Sequence, residues 1–220
     1  MQEATFVSYH ANVFTAEEAL ARSTTFYEFM DSRRTVRDFS SKPIADRLLE
    51  NIIKTAGTAP SGAHKQPWTF CLITHSELKT KIRQAAEKEE YDNYHGRMNQ
   101  EWMDDLSILG TDWKKPFLEI APVLIIVFRK THDIVDSKKR KNYYVQESVG
   151  LACGLLIAAI HQAGLVCLTH TPSPMNFLQE ILRRPENEKP FLLIPVGYPA
   201  EHTTVPDIHR KDLSDILVRY

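Results

Sequence analysis

The chain has 220 residues, of which 43% are hydrophobic and 25% charged, with a formal net charge of -1 at pH 7. This length can bury the core of one domain, and the near-neutral charge argues against general nucleic-acid binding. The longest apolar run, residues 149–160, is too short to span a bilayer. The opening residues lack the basic and apolar parts of a signal peptide, and the three cysteines show no CxxC spacing. We therefore expect a cytoplasmic protein with reduced thiols.

The first third of the chain predicts two helices followed by a strand. Thr15–Glu18 fits a capping box, so a helix should run from there to about Met30. Pro43 precedes a second helix, in which apolar residues recur at helical spacing. Residues 68–74 are rich in aromatic and branched side chains, which predicts a strand.

The middle of the chain predicts two long helices around a buried strand. A polar helix should begin at Ser76 and reach past Met98, and residues 103–116 are expected to be irregular. The continuously apolar segment 122–128 predicts a central strand covered on both faces. The charged run 138–141 is interpreted as a loop, and residues 142–162 as a long apolar helix.

The last third predicts two strands with a helix between them. Gly164 is placed to end the preceding helix, and residues 165–169 predict a short strand. A helix should span residues 176–182, and residues 191–196 predict a further strand with an end or an irregularity at Pro195. The whole pattern indicates helices around a small mixed sheet, which is an α+β arrangement.

Two basic clusters near the ends of the chain could hold a phosphate. The first is RRTVR at 33–37, where guanidinium groups can pair with phosphate oxygens and the Thr35 hydroxyl can donate. Arg210 and Lys211 form the second cluster. The alternative for the first cluster is a solvated basic turn after a helix. Because both glycine-rich phosphate motifs are absent, a mononucleotide held by arginine side chains is favoured over a Rossmann or P-loop site.

Two connecting segments could present polar groups to a ligand. In the turn at 60–64, Gly62 permits a close approach between backbone and ligand, and Ser61 can bond a polar ring edge. In THTP at 169–172, a hydroxyl at the end of a strand is placed to donate to a ring nitrogen. A plain connection is the alternative for the turn. We expect no metal site, since the chain has no HExxH motif or Cys/His cluster.

An acid, a phenol and an amine in the middle of the chain could hold a zwitterion. Glu90 and Tyr94 are four residues apart and therefore share a helix face, where they suit an ammonium group and a neighbouring oxygen. Lys115 lies in a later connection. From spacing alone, a solvated surface is the favoured interpretation of all three residues, because the surrounding run 87–90 is densely charged.

Taken together, these segments resemble the nitroreductase-like flavoproteins and, among them, the iodotyrosine deiodinases, also called halotyrosine dehalogenases. The similarity runs from about Tyr27 to Arg210. Its clearest matches are RRTVR at 33–37, TAPSGAHKQPWTF at 58–70, KEEYDNYHGRM at 88–98, TDWKKPFLEIAP at 111–122, NYYVQESVGLACGLLIAAIHQAGLV at 142–166 and PVGYPAE…VPDIHRK at 195–211. The arginine cluster indicates only the superfamily, and the set of Glu90, Tyr94 and Lys115 narrows the resemblance to the deiodinases.

The resemblance implies an α+β, nitroreductase-like fold with a small, mixed, mostly antiparallel sheet flanked by helices. Each chain would form a single domain, 1–220, in an interlocked homodimer. An N-terminal helical arm (about 1–30) and a C-terminal tail (about 200–220) would pack on the partner subunit.

The resemblance also implies FMN at the subunit interface and a halogenated tyrosine beside it. The implied cofactor-binding residues are Arg33, Arg34, Thr35, Val36, Arg37, Ser61 from the other chain, Thr169, His170, Thr171 and Arg210. Glu90 would bind the substrate ammonium and Lys115 would bind the substrate carboxylate. Tyr94 would add a hydrogen bond, and the Ala63 backbone would lie near the phenolate oxygen of the substrate. The implied catalytic residue is Thr171, whose hydroxyl would lie near the reactive flavin nitrogen N5.

The implied activity is reductive dehalogenation of 3-iodo-L-tyrosine, 3,5-diiodo-L-tyrosine and their bromo and chloro analogues by stepwise one-electron transfer. NAD(P)H would be the ultimate donor, directly or through a separate reductase. The segment from Glu90 to Lys115, here called the lid, is expected to close over the substrate and to be partly disordered without it. Three alternatives remain: a broad NAD(P)H-dependent nitroreductase, a non-catalytic flavin- or halotyrosine-binding protein, and a flavin-cleaving enzyme. The first has no need of Glu90, Tyr94 and Lys115, and the presence of these amino-acid-binding residues argues against the last.

Overall fold

The computed structural model describes residues 4–220, in which the chain divides into two compact units between Arg33 and Arg34. The first unit, residues 4–33, contains helix α1 (Ala16–Asp31), none of whose residues is buried. The predicted capping box is present: the Glu18 amide donates to the Thr15 hydroxyl, and the Thr15 amide donates to the Glu18 carboxylate. The first three residues of the predicted arm lie outside the described part of the chain.

The second unit, residues 34–220, combines helices with two small sheets. Its helices are α2 (Asp46–Gly57), α3 (Ser76–Asp92), α4 (Gln100–Ser107), α5 (Phe117–Ile120), α6 (Val145–Gln162), α7 (Asn176–Ile181) and α8 (Leu213–Ile216). Its strands are β1 (Trp68–Ile73), β2 (Val123–Lys130), β3 (His132–Val135), β4 (Lys138–Lys141), β5 (Val166–Cys167) and β6 (Glu188–Gly197). Across residues 4–220, no helix has both the length and the apolar character that crossing a membrane requires.

The main sheet has the strand order β1-β2-β6-β5, and all of its strand pairs are antiparallel. A parallel bridge between Thr35 and Cys167 adds a further short pairing beside β5, with the Val36 amide donating to the Cys167 carbonyl at 3.2 Å. The prediction of a small, mixed, mostly antiparallel sheet is therefore confirmed.

Side chains of β2 alternate between two separate cores, one on each face of the sheet. Val123, Ile125 and Val127 pack with α2 and α6, whereas Leu124, Ile126 and Phe128 pack with α3, α5 and α7. All six side chains are at most 1% exposed. The predicted central strand covered on both faces is thus confirmed, and with it the α+β arrangement of helices around a sheet.

The predicted end of the polar helix was wrong, and the segment expected to be irregular, 103–116, is irregular only from residue 108 onwards. The α-helix α3 ends at Asp92, and the chain continues as a π-helix over Asn93–Arg97 before turning. Asn99 then caps a new helix, α4, by accepting a hydrogen bond from the Trp102 amide at 2.9 Å. The N-cap side chain separates two helices that the sequence pattern had merged, and α4 occupies residues that were expected to be irregular.

The charged run 138–141 is a strand and not a loop. It forms β4, which pairs with β3 around a turn at Asp136 and Ser137, whose φ angles are +49° and +59°. Positive φ at both central residues is typical of the tight turns that join antiparallel strands. Because both strands are largely exposed, β4 carries no apolar alternation from which it could be predicted.

Two further boundaries differ from the prediction. Helix α6 begins at Val145 instead of residue 142, because Tyr144 has a left-handed backbone with φ +48°. Strand β6 runs through Pro195, which pairs with Leu124, and the register shift lies instead between Val127 and Phe128 of β2. Leu193 exchanges both backbone hydrogen bonds with His170. Pro195 lies two residues further along β6, so its backbone nitrogen points to the same edge of the strand as that of Leu193, away from β2. The missing amide hydrogen of Pro195 therefore removes no hydrogen bond to β2.

Candidate functional site

A cavity of about 210 Å³ in the second unit is enclosed by α3, the π-helix, α4 and the segments that follow α4 and β5. This cavity brings together seven of the predicted site residues: Arg37, Glu90, Tyr94, Lys115, Thr169, His170 and Thr171. These residues are spread over most of the second unit's sequence. Their convergence is therefore a property of the tertiary structure.

Glu90 and Lys115 form a buried ion pair in this cavity. The Lys115 Nζ and Glu90 Oε2 atoms are 3.5 Å apart, and the two side chains are only 4% and 9% exposed. Lys115 Nζ also donates to the Thr111 hydroxyl at 3.2 Å and to the Asp112 carbonyl. Burial raises the pKa of Glu90, against the opposing effect of Lys115, and burial lowers the pKa of Lys115. Such perturbed groups in a cleft indicate a functional site.

Tyr94 lies one helical turn beyond Glu90, on the π-helix. Its hydroxyl donates to the Thr111 carbonyl at 3.2 Å, and Lys115 Nζ lies 5.6 Å from its ring centroid. Burial and the negative charge of Glu90 raise the pKa of the Tyr94 phenol. The phenol therefore keeps its proton at neutral pH and remains a hydrogen-bond donor.

The segment 169–171 alternates its side chains, with Thr169 and Thr171 exposed and His170 buried. Burial lowers the pKa of His170 to about 3, assisted by the positive charges of Lys115 and Arg37. The His170 ring is therefore neutral, which excludes it as an acid at physiological pH. Its Nε2 atom is buried and has no hydrogen-bond partner among residues 4–220. An unpaired nitrogen on a cavity-lining residue fits a site that a polar ligand completes.

A second cavity, of about 370 Å³, shares Arg37 and Leu109 with the first. It is also lined by Thr35, Asp38 and the segments 108–110 and 204–206. The cation of Arg37 and the hydroxyl of Thr35 are donors suited to an anion. Burial lowers the pKa of Arg37, although arginine remains a cation at neutral pH.

The segment 34–40, which contributes Thr35, Arg37 and Asp38 to this cavity, is anchored by hydrogen bonds to backbone carbonyls of the C-terminal part of the chain. The Ser40 amide donates to the Tyr198 carbonyl at 2.9 Å, and the Arg34 guanidinium donates to the Pro206 carbonyl. Val36 is only 5% exposed, so its side chain belongs to the core. These bonds hold the start of the second unit beside the C-terminal tail and thereby form the second cavity.

The predicted residues Ser61 and Ala63 lie elsewhere in the second unit, in the turn before β1. The Ser61 hydroxyl accepts a hydrogen bond from the Gln66 amide at 2.9 Å, and Ala63 is exposed with φ +50°. A Cβ atom on Gly62 would lie 2.8 Å from Tyr144 Cδ2 and 2.9 Å from the Tyr143 carbonyl oxygen. The close approach expected at Gly62 is therefore to the chain itself, because the connection before α6 packs against this turn.

Three of the predicted arginines, Arg33, Arg34 and Arg210, are not among the residues that line the two cavities. Arg33 belongs to the first unit. Arg210 lies on the exposed tail ahead of α8 and is not among the residues that line either cavity.

Several cavity-lining residues were missed by the sequence reasoning. Trp102, Leu106 and Leu109 face the cavity with the spacing of one helix face, and Phe117 and Leu168 add further apolar surface. The i, i+4, i+7 pattern of the first three could have predicted α4 as an amphipathic helix. Asp104 and Asp105 interrupt these apolar residues and weaken the pattern in the sequence.

The arrangement offers three kinds of chemistry in one place. Buried opposite charges can bind the two ends of a zwitterion, and the apolar surface can cover a ring. Arg37, the threonine hydroxyls of both cavities and the unpaired His170 nitrogen can bind the phosphate and polar ring edge of FMN. The residues present therefore fit this cofactor.

Comparison with known proteins agrees with this geometry. The model of the nitroreductase family matches residues 30–198. The iodotyrosine deiodinase of Haliscomenobacter hydrossis is 63% identical over 220 residues, which cover 100% of this chain and 99% of that one. The iodotyrosine deiodinase of Hydra vulgaris is 46% identical, with 98% and 80% covered. A crystal structure of oxidised iodotyrosine deiodinase bound to FMN and 3-iodo-L-tyrosine matches with a TM-score of 0.76 at 31% identity, covering 89% of this chain and 98% of that one.

Proposed function

The chain belongs to the nitroreductase family and, within it, to the iodotyrosine deiodinases, and from this membership we propose that it is an FMN-dependent reductive dehalogenase of halogenated tyrosines. Its substrates are 3-iodo-L-tyrosine and 3,5-diiodo-L-tyrosine, with bromo- and chlorotyrosine as further members of the class, and its products are tyrosine and halide. The observation that carries this function is the buried Glu90–Lys115 pair in one cavity with Thr169, His170 and Thr171.

Glu90 and Lys115 act as the amino-acid clamp. The Glu90 carboxylate binds the substrate ammonium, the Lys115 ammonium binds the substrate carboxylate, and the Tyr94 hydroxyl adds a hydrogen bond. Without substrate the two charges neutralise each other at 3.5 Å. Because a zwitterion brings one charge of each sign, the buried site stays neutral when each group exchanges its partner. A ligand with a single charge would leave one buried group uncompensated.

The lid excludes water from the reacting ring. Its helix α4 places Trp102 and Leu106 on the cavity, where they can cover an aromatic substrate. Removing water strengthens the electrostatic interactions between the clamp and the substrate, and it prevents side reactions.

The cofactor is held by residues that line the two cavities and by basic residues of the neighbouring chain segments. Arg34, Thr35 and Arg37 bind the FMN phosphate and its neighbouring polar groups with help from Arg33, the Val36 backbone and Arg210, while Thr169, His170 and Thr171 bind the ring. When bound, FMN supplies the electrons that allow a carbon–halogen bond to be replaced by a carbon–hydrogen bond. The Thr171 hydroxyl serves as the hydrogen-bond donor for the flavin nitrogen N5. NAD(P)H is the ultimate electron donor, directly or through a separate reductase.

The working form is a homodimer, in which Ser61 and the Ala63 backbone complete the site of the opposite chain. This proposal is supported by the position of both residues in a turn outside the cavity that holds the clamp. The apolar surface of the first unit also supports it, since Leu20, Phe26 and Tyr27 are between 60% and 68% exposed. We further propose a cytoplasmic location, which is favoured by three cysteines that form no disulfide bond.

The function is tested by titrating the oxidised, FMN-loaded protein with 3-iodo-L-tyrosine and with tyrosine while following flavin fluorescence. Anaerobic dithionite is then added and iodide and tyrosine are measured. We expect tight quenching by iodotyrosine, weak quenching by tyrosine, and release of iodide.

A matched pair of variants on α3 sharpens the test. Glu90→Gln should raise the Kd for iodotyrosine by about tenfold or more, because it removes one charge of the clamp. Glu77→Gln changes an exposed carboxylate of the same helix and should leave the Kd unchanged. No preference for the amino acid and no iodide release would instead favour a general nitroreductase, which has no need of Glu90.

A further inference from the structure

One polar face of α3 and the π-helix is bound along its length to the segment 111–121. The residues on this face are spaced at intervals of three or four, which places them on consecutive helical turns. They are Lys79, Arg83, Glu87, Glu90 and Tyr94. Their partners occur in the reverse order along the chain, from Ala121 back to Thr111. The two segments are therefore joined in one register.

The first turns of this face hold the end of the segment. Lys79 Nζ donates to the Glu119 and Ala121 carbonyls, each at 2.8 Å. Arg83 donates to the Glu119 carboxylate at 3.1 Å and to the Glu87 carboxylate at 2.8 Å. These bonds fix the chain just beyond Lys115.

Lys115 itself is held at two points by two carboxylates on the same face of α3, those of Glu87 and Glu90. Its backbone amide donates to Glu87 Oε1 at 2.6 Å, and its Nζ lies 3.5 Å from Glu90 Oε2. Glu87 is in turn oriented by Arg83. A carboxylate that accepts from a backbone amide forms a strong, charge-assisted hydrogen bond, which here restrains the position of the Lys115 backbone.

We propose that Glu87 is a positioning residue that sets the specificity of the site for α-amino acids. By fixing the Lys115 backbone, it holds the Lys115 ammonium at the separation from Glu90 that a zwitterion requires. Glu87 is not among the residues that line the cavity, so its influence on the substrate passes through Lys115. This inference rests on the proposed function of Glu90 and Lys115 as the amino-acid clamp.

The test compares a ligand that has the zwitterion with one that lacks it. Affinities of the FMN-loaded protein for 3-iodo-L-tyrosine and for 2-iodophenol are measured by quenching of flavin fluorescence. Glu87→Leu removes the acceptor and should weaken iodotyrosine binding about tenfold while changing iodophenol binding by less than about twofold. Glu87→Gln keeps an acceptor of the same length and should recover most of the affinity. Glu77→Leu, an exposed site on the same helix, should match the wild type.

A merely structural role gives a different result. Equal weakening of both ligands by Glu87→Leu, or no weakening of either, would overturn the proposal. If Glu87→Leu does not fold, Arg83→Gln removes the group that orients Glu87 and should reduce the preference for iodotyrosine in the same direction. An unchanged preference in folded Arg83→Gln would then overturn it.

The outcome also separates this inference from the function on which it rests. A wild-type protein with no preference for iodotyrosine over iodophenol would remove both proposals. A wild-type preference that Glu90→Gln abolishes and Glu87→Leu leaves intact would remove only the role of Glu87.

Discussion

The Glu90 carboxylate and the Lys115 ammonium are costly groups to bury, and the pKa shifts of both show it. Burial disfavours the charged form of each, so the pKa of Glu90 is raised and that of Lys115 is lowered. The charge of each group still opposes the pKa shift that burial causes in the other group. The ion pair therefore exists only while both groups are ionised. Protonation of Glu90 should remove its attraction to Lys115 and its ability to bind the substrate ammonium.

We expect the preference for 3-iodo-L-tyrosine over 2-iodophenol to be lost in acid earlier than an ordinary glutamate would titrate. Because the pKa of Glu90 lies above its usual value of 4.5, the carboxylate is protonated as pH falls through that raised pKa. It then no longer binds an ammonium group. The ratio of the two dissociation constants, followed against pH, cancels titration of the phenol common to both ligands. Glu90→Gln should show a low, flat ratio, and an unchanged acid limb in that variant would assign the limb to another group.

Thr171→Ala should slow dehalogenation by about tenfold while leaving reduction of a nitroaromatic acceptor nearly unchanged. The exposed hydroxyl of Thr171 is the proposed donor to the flavin nitrogen, which stepwise one-electron transfer requires and hydride transfer does not. Anaerobic iodide release and nitro reduction are measured on the same preparation. Thr171→Ser keeps the hydroxyl and should retain the activity. Parallel loss of both reactions in the alanine variant would instead indicate a defect in cofactor binding.

Among the secondary-structure elements, α4 has the role that the sequence least suggested. It is one short helix between the π-helix and the segment that carries Lys115, and its apolar face lines the cavity. Its opposite face is acidic and exposed. The helix therefore contributes apolar cover to the site, whereas α3 contributes the charges.

Leu106→Ala should weaken both 3-iodo-L-tyrosine and 2-iodophenol, each by roughly fivefold, because it removes apolar surface that covers the ring in either ligand. This common effect contrasts with the zwitterion-specific effect expected at Glu87. Quenching titrations of both ligands measure it. Asp105→Ala changes the neighbouring exposed residue and is the matched control. Selective weakening of iodotyrosine by Leu106→Ala would contradict the role assigned to α4.

At the scale of the whole molecule, the first unit exposes several large apolar side chains. Phe6, Val7, Tyr9 and Val13 are each at least 87% exposed, and no residue of α1 is buried. Exposed apolar surface of this extent is typical of a protein–protein interface. In the proposed homodimer, this surface packs on the partner subunit.

Phe26→Asp should therefore shift the protein from dimer towards monomer and reduce its FMN content in parallel. A carboxylate at an apolar interface is costly to bury, and the proposed cofactor site draws residues from both chains. Sedimentation velocity at several concentrations gives the oligomeric state, and the absorbance ratio gives FMN per chain. Glu17→Gln, an exposed position on the same helix, is the control. A monomer that retains full FMN would show that the site is complete within one chain.

The predictions that held depend on local patterns. The capping box at Thr15, the apolar run of β2 and the motifs that identified the family are all contained in short stretches of sequence. The predictions that failed concern elements whose signal is weak or masked. Strand β4 has no apolar face, and α4 begins at a single capping residue, Asn99, inside what looked like one long polar helix.

The sequence by itself determined the family and the α+β class and indicated the residue types of the proposed clamp, since these follow from the order and spacing of motifs. Only the tertiary structure decided that Glu90 and Lys115 are a buried pair, that His170 is a neutral imidazole, and that Glu87 holds the Lys115 amide. The physical reason is that burial and hydrogen bonding arise from contacts between distant segments. A carboxylate on a densely charged helix has the same local sequence whether the segment 111–121 covers it or water does.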